Sequence, residues 1–156
     1  MNLALLLLSV TASPHADAVT LVKAKYGDLS KAVTSKKDKV ILVDFWSMTC
    51  VPCRKKFPQI VALHNRYRSQ GLHVISVTLD SIDQSESALK FLKQQKATFQ
   101  NLILDEKPVV WQNKLRIREI PCLFLFDRQG RIERRLSSID VQELDKIITR
   151  LLNEKP

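Results

Sequence analysis

Cys50 and Cys53, separated by Val51 and Pro52, are the residues whose type and spacing most directly suggest chemistry. A thiol attacks only as thiolate, and a helix N-terminus lowers its pKa through unpaired N–H groups and the positive end of the peptide dipoles. At a helix start Cys50 would receive that help, and Arg54 and Lys55 add positive charge in the next turn. Cys53, one turn further in, could then attack a mixed disulfide formed at Cys50 and release its partner. Pro52 fits a first helical turn, where its missing N–H would have had no partner. On the residues alone two other readings stay open, half of a zinc site and a pair of ordinary core cysteines. Zinc would want a second cysteine pair or a histidine at ligand spacing, and neither stands nearby. Cys122 stands alone directly after Pro121, and three cysteines do not make a disulfide-stapled scaffold.

The elements that must position this pair are legible around it. Val40 to Trp46 is a β-branched and aromatic run with one acid, Asp44, the pattern of a central strand covered on both faces. Ile60, Val61, Leu63, His64 and Tyr67 recur at helical spacing, which predicts a helix from about Cys50 to Ser69, stopped by Gly71 and kinked at Pro58. Leu72 to Leu79 reads as a second buried strand, so the cysteines sit on the first loop of a strand-helix-strand unit. Upstream, Thr20 to Lys25 suggests an edge strand and Leu29 to Ser35 a short helix. Downstream, Asp83 and Glu86 open a helix to about Lys96, followed by a strand at Asn101 to Leu104 and a short helix at Pro108 to Leu115. Cys122 to Phe126 and Arg131 to Leu136 form a hairpin across Asp127-Arg128-Gln129-Gly130. A last helix is capped by Asp140, with Val141, Leu144, Ile147, Ile148, Leu151 and Leu152 as its buried stripe.

A chain of 156 residues with 45% apolar content supports one domain and one core. Its formal charge of +9 favours acidic partners or an anionic membrane surface. The basic clusters carry no aromatic ladder, long basic helix or metal-finger spacing, so nucleic acid is not an expected partner. Leu3 to Val10 is a short apolar run followed by a small and polar stretch ending in Ala16-Asp17-Ala18, the pattern of a secretory signal peptide spanning residues 1–18, although Met1-Asn2 lacks a basic side chain. The run falls short of the about 20 apolar residues of a membrane span. Residues 19–156 are then the folded domain.

Val43-Asp44-Phe45-Trp46, followed by Cys50-Val51-Pro52-Cys53 and by Pro58, resembles the active-site segment of thioredoxins. The resemblance continues at Ile120-Pro121, similar to the family's cis-proline loop, and along the hairpin from Leu123 to Ile132. The stretch between Cys53 and Pro121 is longer than in plain thioredoxin, which places an inserted helix-strand unit at about Ser85 to Leu104. With that insertion, the signal segment and Phe57-Pro58, the chain is similar to TlpA/ResA-like envelope reductases associated with cytochrome c maturation. The resemblance implies an α/β thioredoxin-like fold, a central mixed sheet flanked by helices. It also implies a periplasmic or otherwise extracytoplasmic thiol-disulfide oxidoreductase acting on protein thiols and disulfides as a monomer, with a membrane thiol relay as electron donor. Its redox group would be the Cys50–Cys53 disulfide, with no metal or other cofactor.

Carried over residue by residue, the resemblance makes Asp44 the buried acid that moves the proton of the second cysteine, and Trp46 an indole beside the disulfide or plain core filling. Pro121 becomes a cis-proline whose loop turns Ile120 toward an extended substrate, with Thr49, Val51 and Pro52 completing the substrate-facing rim. Four positions depart from the family. Thr49 replaces a usual Trp and could cap the helix, Val51 replaces Gly, Lys56 stands where many envelope reductases have an acid, and Cys122 replaces Thr. Cys122 would be either a third thiol within reach of the active pair or a small filler of a buried strand. A redox-silent module binding extended polypeptides is the alternative function. A peroxidase is disfavoured because the Pro and Thr expected before its cysteine are missing.

Overall fold

A computed structural model describes residues 18–36, 38–137 and 140–154 of the chain. The expected signal segment, apart from Ala18, lies outside them. Six strands form one mixed sheet in the order β1-β4-β3-β2-β5-β6. In chain order these are β1 (Val22–Ala24), β2 (Val40–Trp46), β3 (Leu72–Thr78), β4 (Gln100–Leu104), β5 (Cys122–Phe126) and β6 (Ile132–Leu136). The first four run parallel, while β5 is antiparallel to β2 and β6 antiparallel to β5. Every residue of β2 is buried, as its unbroken apolar run requires of a strand with neighbours on both sides and helices on both faces.

The helices are α1 (Tyr26–Thr34), α2 (Val51–Tyr67), α3 (Ser85–Gln94), α4 (Pro108–Leu115) and α5 (Val141–Asn153). Alternation along β2 divides the core in two. Val40, Leu42 and Trp46 pack with Cys53, Phe57 and Ile60 of α2, Leu92 of α3 and Leu144 and Ile148 of α5. Ile41, Val43 and Phe45 face the other way, against Leu29 of α1 and Trp111 and Leu115 of α4. The sheet is thus covered by α2, α3 and α5 on one face and by α1 and α4 on the other.

Most boundaries follow local chemistry. Helix α1 begins earlier than its apolar spacing suggests, because Asp28 reaches back to accept the Lys25 backbone N–H at 2.9 Å. Helix α2 runs without a break through Pro58 to Tyr67 and passes into a 3-10 turn ending at Gly71, whose φ of 108° suits a residue without a side chain. Pro58 thus lies inside a continuous helix, flanked by Phe57 and Ile60, which anchor α2 in the core. Asp83 does not cap α3, as it lies within a 3-10 turn over Ile82–Gln84 that feeds the helix. Asp140 does cap α5, accepting the Gln142 N–H at 3.0 Å. Between the redox motif and Pro121 the expected helix-strand unit is α3 with β4, which places β4 between β3 and the edge strand β1.

Candidate active site

Strand β2 ends at Trp46, and the chain turns over Ser47-Met48-Thr49 to enter α2. The Cys50 N–H donates to Ser47 O at 3.2 Å, which closes the turn, and the Arg54 N–H donates to Cys50 O at 3.1 Å, which starts the helix. Cys50 is itself the N-cap, and its Sγ accepts the Cys53 backbone N–H at 3.3 Å. The cap expected of Thr49 is not made. Thr49 Oγ1 instead pairs with Ser47 Oγ at 3.2 Å, because the sulfur of the next residue already occupies the capping position. A sulfur held there faces the positive end of α2, so its anionic form is stabilised.

Cys50 and Cys53 are joined by a disulfide, with S–S 2.08 Å and Cα–Cα 5.3 Å. Their exposure differs. Cys53 is 2% exposed beneath the first turn, whereas Cys50 is only partly covered, so a protein substrate can reach one sulfur and not the other. Val51, half exposed, and the exposed Pro52 form the rim beside Cys50. The Ile120–Pro121 peptide bond is cis, and Ile120 packs on the same apolar cluster as Cys50 and Met48. Thr49 and Ile120 also line a groove of about 330 Å³, together with Ser47, Asp80, Arg118 and Glu119.

Asp44 lies beneath this surface. Alternation puts it on the Leu42 and Trp46 face, and its register partner on β5, Leu123, belongs to the same cluster as Cys53. Burial disfavours its charge and raises its pKa from 3.8 to about 7, with the Lys56 ammonium acting in the opposite direction. Lys56 is in turn pulled below the ordinary lysine range by burial, against the attraction of Asp44 and Cys122. A buried acid poised near neutrality on the sheet face that packs against α2 can hold or accept a proton, which a carboxylate of ordinary pKa does poorly.

Trp46 is fully buried, with Phe57 and Phe91 at centroid distances of 5.2 and 5.1 Å. It therefore cannot contact a bound substrate, and the core-filling reading holds because β2 turns its indole inward under α2. Of the two readings of Cys122, a third exchanging thiol and a small filler of a buried strand, its packing favours the filler. It pairs in register with Phe45 and packs in the cluster beneath α1 and α4, whereas Cys53 packs in the cluster of the other face. Burial raises its pKa, with Arg135 opposing, and it is a free, buried thiol.

Sequence reasoning missed Asp80. Both of its carboxylate oxygens accept the Met48 N–H, at 3.1 and 2.9 Å, and Thr78 Oγ1 donates to the same group. Asp80 is only 7% exposed, so the turn before Cys50 is tied by a buried acid to the end of β3. An acid just past an apolar strand, in Leu79-Asp80-Ser81, was the available signal, but its partner lies 32 residues away. Among the described residues no group of three or more His, Cys, Asp or Glu is placed to hold a metal ion, and no helix is long and apolar enough to cross a membrane.

A family model described as thioredoxin-like matches residues 38–132. The chain is 31% identical over 122 residues to sporulation thiol-disulfide oxidoreductase A of Bacillus subtilis, covering 78% of this chain and 72% of that protein. It is 28% identical over 108 residues to thiol-disulfide oxidoreductase ResA of Bacillus cereus, covering 69% of this chain but only 60% of that relative. Among solved structures, the thioredoxin domain of a thiol-disulfide oxidoreductase from Bacteroides vulgatus superposes with a TM-score of 0.66 at 25% identity, covering 76% of this chain and 83% of that one.

Proposed function

Because the chain belongs to the thioredoxin-like family of thiol-disulfide oxidoreductases, we propose that it reduces or exchanges disulfides of extracytoplasmic proteins through the Cys50/Cys53 dithiol. In the reduced form the Cys50 thiolate attacks one sulfur of a substrate disulfide, forming a mixed disulfide and releasing the other sulfur as thiolate. Cys53 then loses its proton and attacks Cys50 Sγ, which expels the second substrate sulfur and leaves the Cys50–Cys53 disulfide. The substrate gains two electrons and the enzyme loses two. Asp44 takes the Cys53 proton in the second step, and the departing thiolate is reprotonated from solvent or the same acid.

The single observation behind this assignment of roles is the unequal exposure of the two sulfurs, with Cys50 open at the helix cap and Cys53 closed beneath it. The groove beside Thr49 and Ile120 suits an extended polypeptide approaching Cys50. Regeneration needs an external dithiol, for which a membrane thiol relay is the fitting class, and the enzyme acts as a monomer exported by residues 1–18. Apocytochrome c disulfides are the substrate class to test first. A Cys53→Ala variant expressed in an exporting host should accumulate proteins disulfide-linked at Cys50. Recovery of apocytochrome c supports the maturation role and a broad set of envelope proteins supports general reduction, whereas no adduct at Cys50 overturns the mechanism.

A further inference from the structure

On the sheet face opposite the disulfide, α1, α4 and the β5–β6 hairpin leave a cleft of about 160 Å³. Its walls include Leu29 and Val33 of α1, Leu115 of α4 and Phe124 of β5, with the half-exposed Ile132 at its mouth. Two exposed cations, Lys114 and Arg135, also line it, and no aspartate or glutamate does. Their present contacts are with π faces and a carbonyl. Lys114 Nζ stands 4.8 Å from the Tyr26 ring centroid, Arg135 Cζ stands 4.7 Å from that of Phe124, and Arg135 Nη1 donates to Leu115 O at 3.2 Å. Among the described residues neither cation has a carboxylate at ion-pair distance, although five such pairs form elsewhere.

An apolar space lined by two cations without counter-charges is complementary to a molecule with an apolar body and one anionic end. We propose that this cleft is a second binding site, separate from the redox centre, for amphipathic monoanions. The carboxylate or sulfonate head sits between Lys114 and Arg135, and an aliphatic or aromatic body fills the space between α1 and α4. The volume sets the body's size, since an apolar cavity of roughly 150 Å³ takes up benzene, so the fitting ligand carries about six carbons. The head offers both cations charge-assisted hydrogen bonds that their present partners, two π faces and a carbonyl, do not. The floor of the cleft is Val43 and Phe45, whose strand carries Asp44 and Trp46 on its other face, yet no group of the redox centre lines it.

Hexanoate titrated into the oxidised protein, followed by amide NMR shifts, tests the site, with neutral hexanamide as the control. Saturable shifts centred on Val33, Leu115 and Ile132 are expected, with hexanamide about fivefold weaker, the ratio that one modest ion pair supplies. Lys114→Gln should weaken hexanoate toward the hexanamide level while leaving hexanamide binding and disulfide reduction unchanged. Arg135→Gln should act alike, and if the loss of its bond to Leu115 O unfolds the protein, Lys114→Gln alone carries the charge test. Val33→Phe, which fills the cleft, should remove both ligands. Equal binding of hexanoate and hexanamide, shifts centred elsewhere, or no saturation into the tens of millimolar overturns the proposal.

Discussion

Replacing Asp44 by asparagine keeps the shape of the side chain and removes its titration. Asp44 is 3% exposed, and burial raises its pKa from 3.8 to about 7. A carboxyl whose folded pKa lies above its unfolded value stabilises the fold fully only below the unfolded pKa, and that contribution is lost as pH rises through the folded pKa. At about 1.36 kcal/mol per pK unit, the parent should lose roughly 4 kcal/mol between pH 4 and pH 8 from this group alone, a large part of a typical domain's 5–15 kcal/mol. The variant loses nothing there, so its stability relative to the parent should climb by that amount and level off above pH 8. Urea unfolding of the two oxidised proteins across this range measures the difference directly, and other titrating groups cancel in it. The same substitution should slow release of a trapped mixed disulfide at neutral pH by about 10²-fold, the low end of general acid-base catalysis. A stability difference that stays flat with pH would refute the buried, perturbed acid and with it the proton role assigned to Asp44.

Lys56→Met removes the cation that lowers the Asp44 pKa, so the midpoint of the pH-dependent stability loss should move above about 7, and an unchanged midpoint would separate the two groups. Asp80→Ala leaves the Met48 N–H without its buried acceptor and should cost about 2 kcal/mol by urea midpoint, together with slower insulin reduction as the turn before Cys50 loosens. Trp46→Ala should cost about 3–5 kcal/mol, measured the same way, since the indole fills the space between β2, Phe57 and Phe91. Cys122→Ala should leave the insulin-reduction rate unchanged, and a large loss would make Cys122 a member of the redox site.

Local signals in the chain carried much of this architecture. Gly71, the Asp140 cap and the stripe of Leu144, Ile148 and Leu151 act within a few residues of themselves, so they mark helix ends and faces without tertiary information. The redox motif is likewise local, because a helix start and two cysteines a turn apart define it. What stayed hidden depends on register or long-range pairing. Cys122-Leu123-Phe124-Leu125 is apolar at every position, so nothing in the strand's alternation shows which face Cys122 takes until Phe45 is seen opposite it. Trp46 could equally line a site or fill a core until α2 and α3 close over it with Phe57 and Phe91. The role of Asp80 rests on a hydrogen bond to a residue on another strand's exit loop, and Thr49 lost its expected cap to the neighbouring sulfur. Each of these is a competition between two reasonable local choices, decided by what the sheet brings alongside.

The central claim is that one sulfur, Cys50, meets the substrate. Fully reduced protein treated with less than one equivalent of iodoacetamide at neutral pH, then digested and mapped by mass, reads this out at each of Cys50, Cys53 and Cys122. The partly exposed, helix-capping Cys50 should carry nearly all of the label, with a labelling rate that rises with pH below the ordinary thiol range, while Cys53 and the buried Cys122 stay unmodified. Label appearing first on Cys53 or Cys122 would contradict it.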